Sequence, residues 1–94
     1  STFRKITALK QHQETQIVSL GRRQTNARKL LHYLFSHPVV TAKIVEEALQ
    51  VSTPTANTLL HDFTALRILR ERTGYQRNRV FSFTEYLGLF ERSG

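Results

Sequence analysis

Apolar positions recur along this chain in helical stripes and then switch to β-type runs. In residues 2–20, Phe3, Ile6, Leu9, Gln13, Ile17 and Leu20 return at steps of three or four, with Gln13 the weak member. Such steps keep side chains on one helix face, so the segment predicts an amphipathic helix that stops near Gly21. Residues 24–36 repeat the pattern with Ala27, Leu30, Leu31, Leu34 and Phe35. Ser36-His37-Pro38 ends that helix, because a residue before proline resists the helical region.

Shorter elements follow. Val39-Val40 is an extended link and a candidate first strand. Thr41 is a good N-cap for a helix over 42–49, with Ile44, Val45, Ala48 and Leu49 inward and Glu46 and Glu47 outward. Gln50-Val51-Ser52 forms a turn whose Val51 plugs into the core. Either Ser52 or Thr53 caps the next helix, and Pro54 suits its first turn, where a missing N–H costs nothing. Ala56, Leu59, Leu60, Phe63 and Leu66 make its buried stripe and leave Thr55, Asn57, Thr58, His61 and Asp62 on the outer faces.

Two β-runs come next, Ile68–Thr73 and Arg79–Phe83, joined by Gly74-Tyr75-Gln76. Alternation sends Phe81 and Phe83 to one side and Val80 and Ser82 to the other. Thr84 caps a closing helix, 85–91, with Tyr86, Leu87 and Phe90 inward.

Helix, turn, helix and basic hairpin, in that order, outline a winged helix-turn-helix. The expected fold class is mainly α with a small β-hairpin: a three-helix core plus wing, an extra N-terminal helix and a closing C-terminal helix. Residues 1–22 form the N-terminal amphipathic or linker helix, and residues 23–94 the winged body. Such a fold offers one helix to a DNA groove and one hairpin to the flanking backbone. Winged helices also bind proteins, so the fold alone does not choose.

Charge favours a polyanion. The 94 residues hold 14 Lys and Arg against 7 Asp and Glu, a net charge of +7. The hairpin gathers Arg70, Arg72, Gln76, Arg77 and Arg79 against Glu71 alone. Guanidinium groups suit phosphate oxygens, so this is the expected wing contact. A second basic cluster, Arg22, Arg23, Arg28 and Lys29, opens the core helix. The expected recognition helix is different. Residues 53–66 contain no Lys or Arg, and Thr53, Thr55, Asn57, Thr58 and His61 are its candidates for reading base edges. Double-stranded DNA, bound weakly by a monomer, is therefore the expected partner. The alternative is a protein-interaction module, or a homodimer held by the terminal helices.

Other chemistries find no support. There is no cysteine, so no disulfide, thiolate zinc site or thiol nucleophile. His12, His32, His37 and His61 never pair at i, i+4. No carboxylate dyad or phosphate loop is visible, so no cofactor, metal or catalytic residue is expected. No apolar run approaches a membrane span and no signal peptide opens the chain, which points to a bacterial cytoplasmic setting. The start at Ser1 suggests a piece of a longer protein.

The stretch from Pro38 to Phe90 resembles the C-terminal winged-helix segment of Fic (filamentation induced by cAMP) family proteins. Pro38-Val39-Val40-Thr41, Ser52-Thr53-Pro54-Thr55-Ala56, Ile68-Leu69-Arg70-Glu71-Arg72-Thr73-Gly74 and Arg77-Asn78-Arg79-Val80-Phe81 carry the likeness, with Tyr86-Leu87 in the closing helix. The helices before Pro38 look like that family's inter-domain helices. One departure is local: the family has Gly where this chain has Arg67, a position that favours a left-handed turn. A larger one concerns chemistry. The family's catalytic motif begins His-Pro-Phe and continues into Gly-Asn-Gly-Arg, whereas His37-Pro38 is followed by Val39-Val40 and no Gly-x-Gly occurs. The resemblance thus implies a non-catalytic regulatory or targeting domain. Its parent's adenylyl-transfer domain would lie upstream and would be a further partner.

Overall fold

The computed structural model describes residues 1–72 and 79–92. Among these residues five α-helices and three short strands succeed one another: α1 (Thr2–Val18), α2 (Gln24–Ser36), β1 (Val39–Val40), α3 (Ala42–Leu49), α4 (Thr53–Ala65), β2 (Arg70–Glu71), β3 (Phe81–Ser82) and α5 (Thr84–Arg92). A 3₁₀ turn, Gly21–Arg23, joins α1 to α2, and Gly21 takes the left-handed φ of 61° that reverses the chain there. The result is a mostly helical body with a small antiparallel sheet, consistent with a winged helix-turn-helix.

Caps fix the helix starts. The Thr41 hydroxyl accepts from the Ile44 N–H at 3.2 Å. Ser52 is the cap of α4, accepting from the Thr55 N–H at 3.3 Å, which resolves the Ser52 or Thr53 choice. Thr53 instead donates its hydroxyl to Glu46 Oε1 at 2.7 Å and ties α4 to α3. The end of α4 closes through Arg67, whose φ is 62°. Its N–H donates to the Thr64 carbonyl at 3.0 Å, and the Ile68 N–H to the Phe63 carbonyl at 2.9 Å. This double closure is a Schellman motif, and it demands a left-handed residue. The same turn receives α1, because Gln16 Nε2 donates to the Leu66 carbonyl at 3.1 Å.

The core lies between α2, α3, α4 and the sheet. Ile17, Ala27, Leu30, Leu34, Val40, Val45, Ala56, Phe63 and Phe83 have no exposed surface. Ile17 brings α1 into this core, and Phe35, Phe83 and Tyr86 attach α5 through ring contacts of 5.0 to 5.3 Å.

The sheet order is β1-β3-β2, both pairings antiparallel, with Ser82 opposite Val39 on one side and Arg70 on the other. The strands are shorter than the β-runs of the sequence, two residues each, although the Arg72 N–H still donates to the Val80 carbonyl at 2.7 Å.

Several expected orientations change. Ser82, placed by alternation on the side opposite Phe81 and Phe83, is buried as they are, because β3 is the central strand and its register neighbours Val39 and Arg70 flank it. Ile44 and Ala48 are exposed, because the inward stripe of α3 centres on Val45 and Leu49 and a turn of about 100° per residue carries those two off it. Phe90 is about half exposed at the outer end of α5. Gln13, the weak member of the first stripe, is 1% exposed, and its Oε1 has no hydrogen-bond partner among the described residues.

Two outcomes follow. Replacing Gln13 with Leu removes a buried, unpaired acceptor that costs about 1–3 kcal/mol, so the melting temperature should rise by several degrees. An unchanged or lower melting temperature would refute this. Arg67→Gly should add about 1 kcal/mol in denaturant unfolding, since glycine carries no Cβ penalty at positive φ.

Candidate nucleic-acid interface

Helix α4 is the candidate recognition element, and its burial decides which side chains it can offer. Ala56, Leu59, Leu60 and Phe63 are buried against the core. The opposite ridge is Pro54, Asn57, Thr58, His61 and Ala65, all exposed. Thr53 is exposed but bonded to Glu46, and Thr55 is half-buried. Asn57, Thr58 and His61 therefore stand free to face a groove, while Thr53 and Thr55 sit at the helix's edge.

A cleft runs along each side of α4. The first, about 550 Å³, lies between α4 and the sheet. Asn57, His61 and Thr64 line it from α4, Lys43 and Glu46 from α3, and Glu71 and Arg79 from the hairpin. The second, about 330 Å³, lies between α4 and the start of α2, lined by Thr55 and Thr58 opposite Arg22, Arg23 and Asn26. The expected base readers thus divide: Asn57 and His61 look toward the wing, Thr55 and Thr58 toward the turn before α2.

On the hairpin, Arg70 and Arg72 are exposed. Arg79 approaches Glu71 at 3.8 Å, a long and half-exposed pair of small energetic weight. Gln76 and Arg77, the other expected wing contacts, lie outside the described residues.

The second basic cluster does not stay together. Arg22 and Arg23 border α4. Arg28 instead lies with Lys10, Glu14 and His32 on the α1 side, and it donates to Gln24 Oε1 at 3.5 Å. Lys29 is exposed on α2.

Asp62 departs furthest from expectation. Placed on an outer face by the sequence pattern, it is buried, and its carboxylate receives two hydrogen bonds from Arg23: Nε to Oδ2 at 2.7 Å and Nη2 to Oδ1 at 3.1 Å. A carboxylate goes into a protein when a partner neutralises it and holds its oxygens. The Asp62 hydrogen bond, and then its charge, raise the Arg23 guanidinium pKa further above its usual value. The pair fixes the 3₁₀ turn against α4. Sequence periodicity could not show it, because the partners are 39 residues apart. Lys43, Asn26 and Thr64 were also missed; none belongs to a charge cluster or to the outer ridge as read from the stripe alone.

No helix among the described residues is long and apolar enough to cross a membrane. The described residues also hold no group of three or more His, Cys, Asp or Glu placed to bind a metal ion.

Known proteins give two points of comparison. The crystal structure of MepR, a transcription regulator of the Staphylococcus aureus multidrug efflux pump MepA, superposes with a TM-score of 0.58. It covers 96% of this chain and 69% of MepR at 22% identity, which speaks to the fold alone. Comparison with curated proteins gives no match. Residues 28–82, more than half of the chain, match the family described as HTH DNA binding domain. Neither match is to a Fic protein. The matched span runs from within α2 through the whole sheet and includes α4 and the cleft between α4 and the sheet, so the chain belongs to the HTH DNA binding domain family.

Proposed function

We propose that this chain is a DNA-binding module that sets α4 in a major groove and lays the hairpin along the flanking backbone. One observation carries the reading: the exposed, uncharged ridge of α4 is bordered on both sides by arginines, Arg22 and Arg23 at one cleft and Arg79 at the other. Phosphates lie on both rims of a groove and base edges on its floor, so this charge layout matches duplex DNA. Asn57, Thr58 and His61 are the proposed base readers, with Thr53 and Thr55 at the edge. Asn suits adenine, and the Thr methyl suits the thymine methyl. Arg70, Arg72, Gln76, Arg77 and Arg79 are the proposed wing contacts, and Arg22, Arg23 and Lys29 the opposite ones. Arg28 would reach only an outlying phosphate.

The finer setting rests on the motif resemblance. It supports a C-terminal regulatory or targeting domain beside a Fic-type catalytic domain, in a bacterial cytoplasm, with residues 1–22 as the connecting helix and 23–94 as the winged body.

A second reading has its own observation. Phe3 is 78% exposed and Phe90 48% exposed, one on each terminal helix, and α1 packs against α5. Exposed apolar rings on the two terminal helices, Phe90 also packing edge-on against Tyr86, suit a protein partner, either a second copy or the parent's catalytic domain.

Fluorescence anisotropy with random-sequence duplex DNA tests the first reading. Four to six phosphate contacts predict a log–log salt slope of about −4 to −5. The double substitution Arg70→Glu and Arg72→Glu should abolish binding at about 50 mM salt while leaving the melting temperature within a few degrees. A folded protein that ignores DNA at low salt would sink the DNA reading and turn attention to the terminal helices.

A further inference from the structure

The sequence separates the arginines before α2 from the recognition helix; the fold brings them together. In the 330 Å³ cleft, Arg22, Arg23 and Asn26 face Thr55 and Thr58. Arg23 is held rather than mobile, because Asp62 takes its Nε and one Nη2 hydrogen. The carboxylate side chain is only 10% exposed, whereas that of Arg23 is 51% exposed. The carboxylate thus lies beneath the guanidinium, and the remaining guanidinium donors, those on Nη1 and the second on Nη2, are left for another acceptor. A fixed, planar fork aimed outward suits a tetrahedral oxyanion better than a freely rotating side chain does, since less entropy is lost on contact.

The backbone of α4 adds little to such a site. Ser52 already accepts from the Thr55 N–H, and Pro54 has none to give. Anion binding here must come from side chains: Arg23 and Arg22 for charge, Asn26, Thr55 and Thr58 for neutral hydrogen bonds.

We propose that this cleft seats one DNA backbone phosphate on the side of α4 opposite the wing, with Arg23 as its directed donor, Arg22 as its net charge and Asp62 as the residue that positions Arg23. The two arginines and one carboxylate leave the seat a single net positive charge, so direction rather than charge density distinguishes it from the Arg-rich hairpin. The seat fixes the rotation of α4 in the groove, because it anchors one flank of the helix while the wing anchors the other. It rests on the DNA-binding reading and deepens it.

The test measures anisotropy titrations of random duplex DNA between about 50 and 200 mM salt, where phosphate contacts show in the slope. The intact chain is compared with Arg23→Gln, Asp62→Asn, the double variant and Lys10→Gln, a distant cation on α1. A thermal melt of each variant keeps folding separate from binding. Arg23→Gln should weaken binding about five- to tenfold and reduce the magnitude of the slope by about 0.9, one phosphate's share. Lys10→Gln should leave the slope unchanged. Asp62→Asn adds a net positive charge yet should weaken binding about threefold, because the fork is no longer held by two bonds. The double variant should bind no worse than Arg23→Gln, the mark of a residue acting through another. Tighter binding by Asp62→Asn would overturn the positioning role. A folded Arg23→Gln variant with an unchanged slope would overturn the seat while leaving DNA binding intact. Absence of DNA binding by the intact chain would sink the underlying reading and the seat with it.

Discussion

The candidate interface of this chain is set by how α4 is buried. Ala56, Leu59, Leu60 and Phe63 turn one face of the helix into the core, and the two largest contributors to that seam, Phe63 and Leu59, are essentially dry. Burying such side chains is worth about 1.5–3 kcal/mol each, far more than any single polar contact at the helix surface. Rotation of α4 is therefore decided by the core, and Asn57, Thr58 and His61 are exposed because four apolar neighbours are not. The same rotation presents Asp62 sideways, toward Arg23, instead of outward. One constraint thus produces both the neutral ridge and the ion pair on its flank.

The ends of α4 are fastened just as firmly. At its start, Ser52 caps it and Thr53 reaches Glu46 on α3. At its finish, the Arg67 turn folds the chain back so that Ile68 and Leu69 both donate to the Phe63 carbonyl, and Gln16 from α1 takes the Leu66 carbonyl. This turn matters for the hairpin. By burying Ile68 and Leu69 it delivers Arg70 to β2, in register with Ser82 of β3. The position of the wing relative to α4 is consequently a property of the helix's C-terminal closure. A strained arginine at φ 62° in that closure indicates that the chain keeps the geometry even without the glycine that would favour it.

Elements whose evidence is local were legible in the sequence. Both helices with a long stripe, the Thr41 cap, the proline-terminated α2 and the two β-runs of the hairpin all follow from residues close together in the chain, whereas the pairing of Val39-Val40 with β3 does not. What was not legible depends on partners far along the chain. Ser82 is buried by strands on both sides, a fact of sheet order that alternation within its own strand cannot express. Asp62 looked like solvent-facing polarity, because only Arg23, distant in sequence, makes its burial tolerable. Gln13 is the polar member of an apolar stripe, and its amide goes into the core with Ile17 of the same stripe. For the candidate interface, periodicity gave the exposed ridge, but charge clustering overstated the second basic patch. Consecutive positions on a helix point in different directions, so Arg28 went to the α1 side while Arg22 and Arg23, in the turn before the helix, faced α4.

That division of charge bears on how a DNA-binding helix without a single Lys or Arg could work. Cations on a recognition helix pull it toward phosphate on any sequence, which raises affinity without discrimination. Here the polar groups on the ridge of α4 are amide, hydroxyl and imidazole, and the guanidinium groups stand across the clefts on either side. On the proposed reading, phosphate attraction acts on the flanks and orients the helix, while the ridge contributes only where hydrogen-bond patterns match. The carboxylates at the clefts sharpen this arrangement. Glu46 and Glu71 beside the wing, and Asp62 beside Arg23, lower the local positive field, so a backbone that merely drifts near gains little. On the proposed reading, affinity depends on arginines being held in the right direction more than on their number, and the buried carboxylate beneath Arg23 would then belong to the chemistry of the interface as much as to the stability of the fold.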